Sequence, residues 1–506
     1  MVPLGAPAGM AKRCREAAAP PDPTPSSRMP ASPPRTGPQP AHPLTKENPP
    51  MAANGTAASA LRSAIDGTVF GSTDPGFEAA CLGFNLAHEF RPDIAVLPRS
   101  SRDVAAAVRH AAEHGLAVHV QATGHGLGAQ AHGGMLINTS GLQELDLDPD
   151  ARSVRVGAGV RWSRVIAAAA PHGLAPLNGS SPEVGVVGYT MGGGMGPMGR
   201  TFGFAADHVT SLRMVTASGD TLEVDAVREP ELFWALRGGK CSIGIVTQLR
   251  FGLQPVAEVY GGGIFFAGDH APELFHAFGP WARSLPESTT ASIAMLRLPD
   301  APEFPEPLRG KTTVHLRYVH VGDDLQGAAL LAPMRDTAVA LIDMVAMMPY
   351  SLIGSVHQDP TDPMPAWDAS LLLGSLDADT IDALLETAGP RLQVPLILAE
   401  LRHLGGAFAR QPEHPNAVGR RDAAFAVNLV GPYSPPLQEA VAASGQSVLD
   451  AMEPWSHGGP SINFRGFSWA PQDVRKAWEP GHVERLRRIK ADWDPESRFR
   501  FGYLLD

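Results

Sequence analysis

The stretch "QATGHGLGAQAHGG" (residues 121–134) sets His125 between Gly124 and Gly126, with His132 seven residues further on. An imidazole flanked by residues without side chains lets a ligand lie against the main chain beside it. Four readings compete. A metal site would join His125 and His132 to a carboxylate, the nearest being Glu144, at a spacing that matches no helical or hairpin ligand set. A nucleophilic triad would need a serine in a GxSxG elbow, which the sequence lacks. The others are a buried structural histidine and a cofactor contact.

A second concentration of chemistry lies at residues 173–199, "GLAPLNGSSPEVGVVGYTMGGGMGPMG", where 9 of 27 residues are glycine and none is lysine or arginine. Bare backbone amides can converge on phosphate oxygens and neutralise them with N–H dipoles. Val184, Val186, Val187 and Tyr189 are interleaved, which indicates a packed loop. Two look-alikes fail. Gly194, Gly196 and Gly199 satisfy GxGxxG, but no strand leads directly into them and Pro197 lies inside. "GGKCS" (238–242) ends like a phosphate-binding P-loop, yet Trp234 stands where its first glycine belongs.

The elements that must position these residues read as α+β. "RPDIAVLP" (91–98), "LAVHVQA" (116–122), "GMLINTS" (134–140) and "SVRVGAGV" (153–160) have strand character. "SSRDVAAAVRHAAEHG" (100–115) and "RWSRVIAAAAPHG" (161–173) are helices, the first with a Ser cap. Residues 209–224 make a strand, a Gly219–Asp220 turn and a strand; 230–239 is a helix and 243–253 a strand. After residue 256 the texture changes to long strands such as "KTTVHLRYVHVG", "LILAELRHLGGAFA" and "DAAFAVNLVGPY", separated by helices. The expected division is a tail at 1–50, a first domain at 51–256, a second at 257–450 and a returning segment at 451–506.

Composition narrows the function. A net charge of −11 argues against nucleic acid or an anionic membrane as partner. Cys14, Cys81 and Cys241 form no CxxC pair, so a thiolate zinc site or disulfide scaffold is not supported, and a reducing cytoplasm fits. The first fifty residues hold 14 of the 48 prolines and few large apolar residues, which predicts a disordered tail, with Met51 as an alternative start. No apolar run follows the basic "AKRCREAAAP", so it does not read as a secretory signal.

"TGHG" after a strand, then "GSSPEVGVVGYTMGGG", then "LFWALRGG" and "IGIVT" resemble the FAD-linked oxidases of the berberine bridge enzyme-like group. That group belongs to the vanillyl-alcohol oxidase superfamily with its PCMH-type FAD-binding domain, and the likeness is closest to bacterial members that include 6-hydroxy-D-nicotine oxidase. It runs from about residue 78 to the C-terminus. The resemblance implies a two-part FAD-binding domain and a substrate domain whose antiparallel sheet is backed by helices. It implies that His125 is bonded to the flavin 8α-methyl carbon. A neutral imidazole is nucleophilic near neutral pH, which suits that role. It places Thr123, Gly124 and Gly126 near the pyrophosphate, and Ser181, Val184, Gly185, Gly188 and Tyr189 along the flavin and phosphates. Ile245 falls on the adenine side, and Asn463 returns to the flavin. Three positions depart from the pattern. Ser181 stands where bicovalent members carry cysteine, which implies a single tether. Ser461 replaces a tyrosine, and "RGGKCSIG" (237–244) replaces "RGGGGNFG".

The resemblance further implies hydride transfer from a carbon bearing OH or NH to flavin N5, with a protein group taking the proton. In "AELRHLGG" (399–406) alternation puts Glu400 and Arg402 on one face of a strand and Leu401 and His403 on the other. His403, among apolar neighbours, is read as the base, and Arg402 as the group binding an anion or carbonyl. Asn428, His315 and Arg317 are further candidates. The expected activity is oxidation of a small alcohol, amine or sugar-like secondary metabolite with O2 as electron acceptor. A dehydrogenase with poor O2 reactivity and a non-catalytic flavin- or metabolite-binding protein are the alternatives.

Overall fold

The computed structural model describes residues 54–500 apart from 89, 127–130, 241–242 and 468–470. The expected disordered tail, Cys14 and Cys241 lie outside the described residues. The first sheet has the order β1 (Thr68–Gly71), β3 (Ile94–Leu97), β6 (Met135–Asn138), β4 (Val118–Gln121). Two short strands, β2 (Phe90–Arg91) and β5 (Ala131–His132), pair in parallel beside it. β3, β6 and β4 run parallel, so β3 needs a crossover to reach β4. The helix Ser101–Glu113 supplies it. Ser100 Oγ caps it by accepting the Asp103 N–H at 3.2 Å. Val104, Ala107, Val108 and Ala111 then recur at helical spacing and are wholly buried.

The second sheet is antiparallel, in the order β10 (Thr221–Asp225), β9 (Val209–Val215), β11 (Ile245–Gly252), β8 (Ser153–Gly157), β7 (Leu145–Asp148). Gly219 turns the β9–β10 hairpin at φ +82°. Eight strands make the third sheet: β12 (Glu258–Ala267), β13 (Thr289–Arg297), β14 (Thr312–His320), β15 (Ala340–Asp343), β16 (Ala346–Pro349), β17 (Ala366–Leu373), β18 (Leu398–His403) and β19 (Phe425–Pro432). Their spatial order is β15-β12-β14-β13-β18-β19-β17, with β16 also on β12.

Helices Ala271–Ser284, Asp324–Arg335, Ala378–Ala388 and Gln438–Met452 bury alternate side chains of this sheet, Leu401, Val427 and Trp367 among them, against Phe275, Phe278 and Leu384. The intervening residues therefore face the other way, toward the first half of the chain. The C-terminal segment returns to that half. Trp478, Leu486 and Ile489 join its core, and the Arg498 carbonyl accepts the Val118 N–H of β4 at 2.8 Å. The class is the expected α+β, with the larger antiparallel sheet backed by helices. No described helix is long and apolar enough to cross a membrane. Among the elements that went unanticipated are β13, β17 and the short helix Val186–Met191, whose signal the surrounding glycines conceal.

Candidate active site

β4 delivers the backbone to Gly124, which sits at φ +70° with Gly83 against it; a β-carbon there would stand 2.4 Å from Gly83 Cα. Only glycine fits that approach. His125 follows, stacked on Phe84 with ring centroids 3.9 Å apart and planes 10° from parallel. Its Nδ1 lies 2.9 Å from Thr123 Oγ1, which also accepts the Gly185 N–H at 3.4 Å. Nδ1–H donating to that oxygen leaves the lone pair on Nε2, and Nε2 is buried with no hydrogen-bond partner among the described residues. Burial, reinforced by Arg161 and opposed by Glu183 and Asp359, pushes the imidazole pKa down to about 4. The ring is therefore neutral and nucleophilic at pH 7.

His125 faces a cavity of about 2690 Å³ between the first two sheets and the third. Thr123, Gly124, Gly126, Ser181, Val184, Gly185, Gly188, Tyr189, Ile245 and Asn463 line it as well. The glycine-rich segment divides in two. At Gly188 a β-carbon would meet nothing within 4 Å, and at Gly126 nothing nearer than 4.0 Å, so bare backbone fronts open space. Gly194, Gly196 and Gly199 instead press on Tyr189, the Asn178 carbonyl and the Phe408 ring, where a β-carbon would come within 2.5, 2.1 and 1.7 Å. The GxGxxG match is thus a packing feature. Asn463 closes the wall: its Nδ2 donates to the Tyr189 carbonyl at 2.8 Å and its Oδ1 accepts from Lys240 Nζ at 2.8 Å. The departure at "RGGKCSIG" therefore places an ammonium in this wall.

The opposite wall is the open face of the third sheet. Glu400, 1% exposed, accepts from Arg317 Nη1 at 2.5 Å, Arg402 Nε at 2.6 Å, Ser292 Oγ at 2.8 Å and Asn428 Nδ2 at 3.2 Å. Burial opposes its ionisation, but the Arg402 and Arg317 guanidiniums overcome that and hold the carboxyl far below the usual range. Because a carboxylate only accepts, Asn428 must turn its NH2 toward Glu400; its Oδ1 is buried with no partner among the described residues. Arg402 lines the cavity over the Phe464 ring at 5.0 Å. Arg317 and His357 line it too, whereas His315 lies wholly buried beneath Arg317, with Arg317 Nε 3.2 Å from its Nδ1.

His403 is not brought to this wall. It is on the face of β18 opposite Arg402, stacked on Phe425 at 5.2 Å, with Arg200 Nη1 3.0 Å from its Nε2. Burial and Arg200 hold its pKa down to about 3. Its position on that face keeps it out of the lining of the cavity, away from Asp368 and Asn463. The residue that the sequence reading missed is Asp368 in β17, a lone acid in "AWDASLLL". It lines the cavity, and its carboxyl has no hydrogen-bond partner among the described residues. Burial lifts its pKa to about 6, against the pull of Arg465 and Lys240. The C-terminal segment crosses the same strand, with Ser461 N–H donating to Ser370 Oγ at 3.1 Å and Phe467 N–H to the Asp368 carbonyl at 3.0 Å.

His132 is exposed on β5 and does not line the cavity. Among the described residues the side chains grouped closely enough to share an ion are His110, Glu113 and His114, on the helix Ser101–Glu113 and its cap, which do not line the cavity either.

A large cleft, an unpartnered neutral imidazole at one wall and exposed main chain along it suit a flavin dinucleotide. The comparisons agree. Residues 92–225 match a family described as an FAD binding domain. The (R)-6-hydroxynicotine oxidase of Paenarthrobacter nicotinovorans is 25% identical over 483 residues, covering 87% of this chain and 97% of that protein. The crystal structure of 6-hydroxy-D-nicotine oxidase from Arthrobacter nicotinovorans superposes with a TM-score of 0.75 at 23% identity, over 87% of this chain and 98% of that one. The xylooligosaccharide oxidase of Myceliophthora thermophila C1 gives 0.77 at 19%, over 90% and 99%. The chain thus carries an FAD binding domain within a fold shared with these oxidases, and over most of its length it is similar to FAD-linked oxidoreductases.

Proposed function

We propose that the cavity oxidises a small alcohol, amine or sugar-like secondary metabolite on FAD tethered once, through His125 Nε2. The observation that carries the reading is that imidazole: neutral, in the cavity wall, with its Nε2 buried and without a partner among the described residues. Ser181, whose hydroxyl cannot make a thioether, supports a single bond. Bound FAD supplies the two-electron acceptor for the hydride that leaves the substrate carbon.

The chain's own residues do the rest. Asp368 takes the proton of the substrate O–H or N–H as the C=O or C=N bond forms, so carbon gives up a hydride and the heteroatom a proton. A carboxylate with a pKa near 6 is ionised at pH 7 yet basic enough for this work. Arg402, held rigid by Glu400, turns its terminal nitrogens to an acceptor atom of the substrate. Asn428 Oδ1 accepts from a substrate donor. Passage of the electrons to O2 is favoured by relatives named as oxidases.

The test is acid precipitation of the purified protein. A yellow pellet from wild type and a colourless one from His125→Ala are expected. A pellet that stays yellow in the variant, or a colourless wild type, overturns the tether. Rapid reoxidation of the reduced protein in air marks an oxidase, slow reoxidation a dehydrogenase.

A further inference from the structure

The open face of the third sheet changes character along each strand. In β18, Arg402, Glu400 and Leu398 point the same way, and their register partners are Ser292, Ala294 and Leu296 on β13. On the other side Asn428 and Val430 of β19 stand opposite Glu400 and Leu398. Four residues of extended chain span about 13 Å. Over that distance the wall passes from two guanidiniums and an amide to leucine and valine. Phe265, Ala294, Leu296 and Leu308 form a small apolar cluster at that end, with Ile342 and Leu398 packed on it.

The cavity continues past this cluster into an outer arm. Met344 and Met347 line it at 40% exposure each, Leu437 at 41% and Leu392 at 37%, together with Phe304 and Pro435. Large apolar side chains left open to water in one continuous groove mark a binding surface for apolar matter. Methionine, unbranched and polarisable, adapts to such ligands. Charge enters the cavity beside the arm at Glu303, Lys311, Asp359 and Asp362, while Arg297 commits its guanidinium to the carbonyls of Ala388 and Gly389.

We propose that the substrate is an elongated molecule with an apolar body, seated along Leu398, Leu296 and the methionine arm, and a hydrogen-bond-accepting or anionic end received by Arg402. The proposal rests on the oxidase reading for the location of the reacting end, and on the arm's own surface for the body. The observation behind it is that one cavity is lined both by these apolar residues and by Arg402, Asn428 and Asp368. An oligosaccharide fits poorly. Against Leu296, Leu398 and Val430 a sugar hydroxyl would give up water without gaining a side-chain partner. Neither tryptophan nor tyrosine stands among the residues of the arm to stack on a sugar ring.

The test is calorimetric titration of the holoenzyme with straight-chain carboxylates from butanoate to decanoate, and with cellobiose. A buried methylene is worth a roughly threefold to fourfold gain in affinity. We expect Kd to fall about threefold per added methylene, and cellobiose to bind more weakly than decanoate. Leu437→Asp, at an exposed position just ahead of the helix Gln438–Met452, flattens the chain-length trend and leaves butanoate unchanged. Affinity independent of chain length, or cellobiose binding more tightly than decanoate, overturns the proposal. Calorimetry does not read the flavin. A protein without flavin that still shows the trend sinks the oxidase reading and leaves this one standing.

Discussion

Asp368→Asn separates a cost in stability from a gain in chemistry. The Asp368 carboxyl titrates near pH 6 in the folded protein, against about 4 in an unfolded chain. Between those values the folded state binds more protons than the unfolded one, so stability falls as pH rises from 4 to 6 and stays reduced above that. This is opposite in sign to an ion-paired carboxylate. Two pKa units at 1.36 kcal/mol each set the penalty at up to about 3 kcal/mol at pH 7 and above. Asparagine is nearly isosteric and does not titrate, so it removes the penalty. Thermal unfolding of wild-type and Asp368→Asn holoenzyme should be compared from pH 4 to pH 8. The two curves should nearly coincide at pH 4, and the variant should melt a few degrees higher from about pH 7. The same variant should reduce its flavin roughly a hundredfold or more slowly, since general bases contribute about that much. A variant that melts with wild type at every pH, or lower at pH 8, would refute both the buried carboxylate and its proposed use.

Three other perturbations probe different parts of the site. Glu400→Gln leaves the Arg317 and Arg402 guanidiniums facing an uncharged amide inside the protein; a loss of about 3–5 kcal/mol is expected, recovered in part when Arg317→Met is added, and equilibrium unfolding of the single and double variants measures it. Gly124→Ala sets a β-carbon 2.4 Å from Gly83 at φ +70°, so lower thermal stability and loss of bound flavin absorbance are expected together. Burial holds His88 neutral to about pH 4 and His357 and His403 to about pH 3. An unfolded chain takes up those protons first as pH drops below about 6.5, so these groups leave stability level above that pH and erode it down to 4. Three histidines outweigh the single opposing Asp368, and the melting temperature of wild type should fall between pH 6.5 and pH 5.

The half of the cavity around His125 was legible in the sequence because its geometry is local. His125 and its glycines are neighbours in the chain, and the constraint on Gly124 is steric and of short range. The glycine-rich segment was harder, since identical residues there either front the cleft, as Gly188 does, or fill gaps between side chains, as Gly199 does. Composition does not separate the two. The substrate half depends on which face of each strand points inward. Alternation along β18 correctly paired Glu400 with Arg402 and His403 with Leu401, but the helices that cover one face decide the orientation, and they come from distant parts of the chain. His403 was favoured for its apolar neighbours, which proved to be the sign of the covered face. Asp368 was available as a single acid in an apolar run, but β17 was not recognised as a strand.

The C-terminal return has a consequence for biogenesis. β4, the strand that leads to His125, is held at its start by the carbonyl of Arg498, and the wall of the cleft is closed by Asn463. Both partners come from the C-terminal segment, so the cleft is completed only when that segment has folded back onto the first half of the chain. A premature stop codon a few dozen residues upstream of Arg498 removes both contacts and should release a polypeptide that never turns yellow.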